Sequence, residues 1–202
     1  QKNIIEEVTH KDSWIWSSPC MVVAKQNSSK LRLVVDFREV NKEIVSESYP
    51  LSHIRDILDS LGRAKVFTSL DIRQAFINIE IAKSSRRFLG FSYGDRQYIY
   101  NRLPFGLSVS PSVFNRYLSS ALKDVDKSTY VKFRDDLFIY SEDHESHMKH
   151  MENILQALTK HGILLNFGKS QFCMSKLNYL GFVIGKQENG MESVQTRTKS
   201  NL

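Results

Sequence analysis

Two aspartates, Asp135 and Asp136, stand side by side in "VKFRDDLFIYS", residues 131 to 141. Val131 and Phe133 precede them, and Leu137, Phe138, Ile139 and Tyr140 follow. A run so rich in β-branched and aromatic residues predicts strand next to a core. Carboxylates are costly in such a place unless something pairs with them. A third, Asp71, ends another strand-like run, "VFTSLDI". If the two runs pair, three carboxylates meet at one sheet edge. Hard divalent cations such as Mg²⁺ take oxygen ligands at about 2.1 Å and commonly share a substrate phosphate. Two such ions about 4 Å apart activate an attacking hydroxyl and stabilise the leaving oxygen of a phosphoryl transfer. The competing reading of Asp135–Asp136 is an exposed β-turn, where aspartate is common. The pair alone favours that turn; Asp71, a basic hairpin and the flanking aromatics weigh toward the metal.

Several elements would position these carboxylates. "CMVVAKQNSSKLRLVVDF" predicts a hairpin of two apolar strands around a polar turn at 26–30. "YPLSHIRDILDSLGRA" predicts a short helix: Pro50 and Ser52 suit its start, Ile54, Ile57, Leu58 and Leu61 form one stripe, and Gly62 ends it. "KVFTSLDI" is the strand that delivers Asp71. "RRFLGFSYGDRQYIYNRL" predicts a second hairpin with Gly94-Asp95 in its turn. "SPSVFNRYLSSALKDV" predicts a helix capped by Ser110, with Pro111 at its first position. "ESHMKHMENILQALTKHG" predicts an amphipathic helix with Met148, Met151, Ile154, Leu155 and Leu158 inward, closed by Gly162. His144, His147 and His150 recur every third residue at its start; solvated helix positions are expected there rather than a zinc site. "SKLNYLGFVIG" predicts a last strand or hairpin. A β-hairpin lobe followed by strands alternating with helices implies an α+β protein, one sheet covered on one face by two or three helices.

At 202 residues, 41% hydrophobic and 25% charged, the chain suits one domain or one domain with a smaller lobe. No apolar run approaches the roughly 18 residues of a membrane span. The opening "QKNIIEEVTHKDSWIW" has acidic residues and no long apolar block, so it is no secretory signal; beginning on Gln1, it implies a fragment or processed product. Cys20 and Cys173 have no CxxC partners and read as reduced thiols of an intracellular protein. The net charge of +6 fits a polyanionic partner. Half of that excess lies between Ser17 and Lys42, where Lys25, Lys30, Arg32, Arg38 and Lys42 face only Asp36 and Glu39. A second basic stretch runs from Arg63 to Arg102.

Six motifs in order, "SSPCMVVAKQNSSKLRLVVDFREVNK", "FTSLDIRQAFINIEI", "LPFGLSVSPSVFNR", "FRDDLFIYS", "LNFGKS" and "YLGFVIG", span most of the chain. Together they resemble the fingers and palm of a reverse transcriptase, most similar to those of gypsy-type long-terminal-repeat retrotransposon Pol polyproteins. The resemblance implies an α+β right-hand polymerase fold whose antiparallel palm sheet is covered on one face by helices, with the thumb largely absent. It implies fingers at about 1–62 and 83–103, palm at about 63–82 and 104–184, and the start of a thumb or a frayed tail at 185–202.

The same resemblance implies roles. Asp71 and Asp135 would bind two Mg²⁺ ions, and Asp136 would support one of them or orient its shell, with Mn²⁺ as an alternative metal. Lys25 and Arg32 would clamp the incoming triphosphate, a load suited to an ammonium and a bidentate guanidinium. Backbone N–H groups of Ile72, Arg73, Gln74, Ala75 and Phe76 would cradle phosphate oxygens, and the Phe76 ring would exclude a 2′-hydroxyl. Phe105 would line the nucleotide pocket or belong to the core. Lys169 would protonate the pyrophosphate leaving group. Tyr179, Leu180 and Gly181 would grip the primer. Partners would be an RNA or DNA template-primer and deoxynucleoside triphosphates, with no membrane and an oligomeric state left open. The location would be a cytoplasmic particle or the nucleus. Two departures from the pattern stand out: Phe133 replaces the usual Tyr, and Arg134 replaces a small or aliphatic residue facing the primer terminus. The rival reading is a degenerate or domesticated copy that binds nucleic acid, or serves as a protein scaffold, without polymerase activity.

Overall fold

The computed structural model describes residues 3–9, 15–24, 31–45, 61, 63–133, 136–179 and 182–185. The chain divides into two compact units, Gln1–Tyr49 with Gln74–Tyr117 and Pro50–Arg73 with Leu118–Leu202.

In the first unit, β1 (Ile5–Glu7), β2 (Ser17–Ser18), β6 (Gly90–Tyr93) and β7 (Arg96–Tyr100) form a four-stranded sheet in the order β1-β7-β6-β2. The β6–β7 hairpin turns at Gly94, whose φ of 63° suits glycine. β2 runs parallel to β6, with Ser17 opposite Gly90. A Cβ on Gly90 would lie 2.3 Å from the Trp16 carbonyl oxygen, so the approach requires glycine. The predicted N-terminal hairpin is β3 (Cys20–Ala24) against β4 (Leu31–Val35), in register from Cys20↔Val35 to Ala24↔Leu31. Its turn lies outside the described residues. Short helices α1 (Arg38–Glu43) and α2 (Lys83–Arg86) also belong to this unit. Its core gathers Val35, Phe37, Val40, Leu89, Phe91, Leu103 and Leu107. β1, β2, α1 and α2 were not expected: each is six residues or fewer, too short for a periodic signal.

The second unit centres on an antiparallel sheet of β5 (Val66–Asp71), β8 (Tyr130–Phe133), β9 (Asp136–Ser141) and β10 (Gln171–Met174), in the order β10-β5-β9-β8. A separate hairpin pairs β11 (Lys176–Tyr179) with β12 (Phe182–Gly185). Leu61, Phe67, Phe138, Tyr140, Leu177 and Ile184 form its core, and the Phe67 and Phe138 rings stack 5.9 Å apart. Helix α3 spans Ser110–Ala121, its residues through Tyr117 belonging to the first unit, and α4 spans His144–Lys160 in the second. The expected cap role of Ser110 is corrected: it is already helical, and its buried hydroxyl donates to the Pro104 carbonyl. Asp143 caps α4, accepting from the Ser146 N–H.

Met151, Ile154 and Leu158 of α4 are buried, as its periodicity predicts. Met148 is not inward; it is 58% exposed. The fully buried residue of that turn is His147, so a solvated His147 is a further correction. The pattern weighed hydrophobicity, whereas a polar residue with partners for both ring nitrogens can occupy the core. The helix expected at 50–62 falls on positions outside the described residues, apart from Leu61, which is buried. Among the described residues no helix is long and apolar enough to cross a membrane.

Candidate active site

β5 and β9 place Asp71 directly opposite Asp136, and Phe133 of β8 faces Asp136 from the other side. Leu70 and Leu137, the inward neighbours of the two aspartates, have no exposed surface. Asp71 and Asp136 are half-buried, so each strand keeps its apolar length in the core and carries its carboxylate where it emerges. Directly opposed residues share a sheet face, and like charges there repel. A cation bound by both carboxylates would offset that repulsion. Their oxygens are the hard donors that Mg²⁺ takes, so the residues fit such an ion. Asp135 and Arg134 lie outside the described residues, and no three His, Cys, Asp or Glu side chains gather into a metal-holding group among the described ones.

Asp71 is latched at its backbone. Its N–H donates to the Ser170 hydroxyl at 3.1 Å, and Ser170 donates in turn to the Asn166 carbonyl at 2.9 Å. The Asn166 N–H donates to the Asp71 carbonyl at 2.9 Å. The loop from Asn166 to Ser170 therefore grips the residue that bears the carboxylate. Lys169 lies in this loop, exposed, with its N–H donating to the Asn166 carbonyl. "LNFGKS" pointed only to Lys169; Asn166 and Ser170 carry no spacing signal that marks a latch.

Ile72 is buried and bridges Leu165. The Arg73 N–H donates to the Leu164 carbonyl at 2.8 Å. That amide is engaged within the chain, which removes it from the expected phosphate cradle. Gln74 adopts a left-handed conformation, φ 50° and ψ 49°, and its carbonyl accepts from the Ile77 N–H, opening a 3₁₀ turn over Ala75–Asn78. Ala75 is buried.

In the first unit Phe76 packs against that unit's core and touches two other rings. It meets Phe105 at 4.9 Å and Phe114 at 5.9 Å between centroids. Arg32 is exposed on β4, its guanidinium 5.4 Å from the centre of the Phe105 ring. Phe105 is 46% exposed, so the core alternative for it fails. Lys25, Leu180 and Gly181 lie outside the described residues; Tyr179 ends β11, paired in register with Phe182.

His147 ties the carboxylate strands to α4. One ring nitrogen meets the Thr68 hydroxyl of β5 at 2.8 Å, the other the Ser141 hydroxyl of β9 at 2.9 Å. Ser141 also meets His150 Nδ1 at 2.8 Å, and Thr68 accepts from the Cys173 N–H of β10. Burial, then the neighbouring His150 and His144, push His147 down to about 4. It is therefore neutral at pH 7, a buried polar staple across three strands and a helix.

The family model described as reverse transcriptase (RNA-dependent DNA polymerase) matches residues 23–184. The Pol polyprotein of transposon gypsy from Drosophila melanogaster is 34% identical over 191 residues, covering 92% of this chain and 18% of that protein. A foamy viral protease-reverse transcriptase solved with double-stranded DNA superposes with a TM-score of 0.79 at 26% identity, over 91% of this chain and 31% of that one. The foamy viral enzyme solved with an RNA/DNA hybrid gives a TM-score of 0.77 at 26% identity, over 90% of this chain and 24% of that one. The chain thus spans under a third of each.

Proposed function

The chain belongs to the reverse transcriptase family, of the gypsy retrotransposon type, with the α+β fold of polymerase fingers and palm; from that premise we propose that it adds deoxynucleotides to a primer 3′-hydroxyl as directed by an RNA or DNA template. The observation that carries the reading is the β5–β9 register, which sets Asp71 opposite Asp136 at the emerging ends of two buried strands. Asp71, Asp135 and Asp136 would hold the divalent metal. When bound, Mg²⁺ supplies charge neutralisation on the triphosphate and a lowered pKa for the attacking hydroxyl.

The chain's own residues do the rest. Arg32, with Lys25, takes up phosphate oxygens; a planar guanidinium matches two of them at once. The Phe76 ring occupies the space that a 2′-hydroxyl would need. Lys169, on the loop that latches Asp71, donates a proton to the departing pyrophosphate. The foamy viral complexes with double-stranded DNA and an RNA/DNA hybrid support a template-primer as partner. We assign the fingers to about 1–62 and 83–103, the palm to about 63–82 and 104–184, and the primer grip to Tyr179–Gly181.

Primer extension by the full-length protein tests this. Parent protein should extend an RNA-templated DNA primer in Mg²⁺, and Asp136→Asn should extend it far more slowly. A parent that binds primer-template yet incorporates nothing would leave the non-catalytic reading in its place.

A further inference from the structure

We propose that the first unit holds a second ligand site, an apolar cavity lined by Trp16 and Phe88 with the Glu43 carboxylate at its edge, which takes a flat aromatic molecule bearing a cationic head group. None of the residues lining it is among those assigned to nucleotide, primer or metal.

The cavity measures about 640 Å³, a size that suits a small molecule. All its lining residues belong to the first unit. It lies where that unit's core is incompletely covered. Leu89 and Leu103, buried in the core, line it, and so do Ile44, Ile79 and Ile81, which are only half-buried. Protein interiors leave few voids larger than a water molecule, so a space of this size is more than a packing fault. Apolar cavities admit aromatic guests.

The two aromatic residues are fixed in advance. The Trp16 N–H donates to the Arg87 carbonyl at 2.8 Å. The Arg87 guanidinium lies 4.9 Å from the centre of the Phe88 ring, within cation–π range. One residue thereby holds the backbone of Trp16 and the ring of Phe88. Aromatic surfaces ordered before binding lose little freedom when a ligand ring packs on them, which spares affinity.

Charge at the edge selects the ligand's head group. Two carboxylates line the cavity, Glu43 and Glu80. Glu80 is already engaged: the Arg86 guanidinium donates to it at 2.9 Å. Arg86 Nε also donates to the Ile81 carbonyl at 3.0 Å, and its side chain is only 13% exposed. Glu43 is not engaged. The neighbouring Lys42 donates to Glu39 instead, at 2.8 Å, and Glu43 has no ion pair among the described residues. An uncompensated carboxylate beside aromatic rings favours an aromatic cation over a neutral or anionic ligand. The same sign argues against nucleic acid as the occupant.

The test is isothermal titration calorimetry of the full-length protein with naphthylmethylammonium and, as its uncharged counterpart, naphthylmethanol. The parent should bind the ammonium with a Kd on the order of 100 µM. It should bind the alcohol about threefold more weakly, and Glu43→Gln should bring the ammonium down to the alcohol's affinity. Ser85→Trp and Ala82→Phe place bulk at two exposed lining positions. Each should abolish binding of both probes and leave the melting temperature unchanged. No heat from the parent, or heat that both filling variants leave intact, overturns the site. Equal affinity for the ammonium and the alcohol overturns the ligand class proposed for it. Primer extension enters none of these readings, so they stand whether or not the parent incorporates nucleotides.

Discussion

Asp71 and Asp136 face each other across adjacent strands, with apolar core behind both and a loop holding the backbone of one of them. Two opposed carboxylates are a liability in an apoprotein and an asset once a cation joins them. Replacing Asp71 by Asn removes one charge and one of the proposed metal ligands. Incorporation should fall by a hundredfold or more, on the order of what a lost metal contact costs, while thermal stability holds or rises slightly. Incorporation rate and melting temperature measured on the same sample check both halves. The Ser170 latch gives a subtler case. Ser170→Ala leaves the Asp71 N–H and the Asn166 carbonyl without that hydroxyl, costing about 1–2 kcal/mol and loosening the carboxylate's anchor. Its extension should need more Mg²⁺ for half-maximal rate than the parent's, and an unchanged Mg²⁺ requirement would show the latch to be purely structural. Phe76→Val should raise the ratio of ribo- to deoxynucleotide incorporation by about tenfold, read by competition between the two nucleotides.

Helix α4 shows at the scale of an element what a pattern reveals and what it hides. The strands bearing Asp71 and Asp136 were legible because β-branched and aromatic runs have few alternatives. Both hairpins were legible because a polar or Gly-Asp turn separates apolar runs. α4 was legible as a helix, yet its inward face was misjudged at one turn, where His147 takes the place assigned to Met148. No single-residue pattern foretells that Thr68 and Ser141 supply its partners from two strands, 79 and 6 positions away, or that the Cys173 N–H of a third strand donates in turn to the Thr68 hydroxyl. The latch on Asp71 was hidden for the same reason, since Ser170 is 99 positions from its partner.

His147 also carries a pH signature. Its folded value of about 4 lies below the unfolded value of 6.5. Above pH about 6.5 both states hold it neutral and it contributes no pH dependence. As pH falls from there toward 4, the unfolded chain takes up a proton that the folded protein refuses, and stability declines by on the order of 3 kcal/mol. Urea midpoints between about pH 7.5 and about pH 4 should slide downward in the parent. His147→Leu should start lower and show a flatter slope. An equally steep slope in the Leu variant would assign the pH dependence to other groups.

At the scale of the whole molecule, net charge of +6 and a basic N-terminal stretch fit a partner that is itself a polyanion. If about four phosphates are contacted, primer-template affinity should drop roughly a hundredfold between about 50 and about 200 mM salt through counterion release. This dependence should survive Asp71→Asn, because counterion release comes from basic residues that the change leaves in place. Of the proposed site residues, one compact unit carries Arg32, Phe76 and Phe105, and the other carries Asp71, Asp136 and Lys169. Template-directed nucleotide addition at the carboxylates is the central proposal. Its most direct test is single-turnover extension of an RNA-templated DNA primer by the full-length protein in Mg²⁺, with parent, Asp71→Asn and Asp136→Asn side by side at equal primer-template occupancy. The parent should add the templated deoxynucleotide, and both variants should lose that addition almost completely. Bound primer that the parent does not extend, or extension that either variant sustains at the parent's rate, would contradict it.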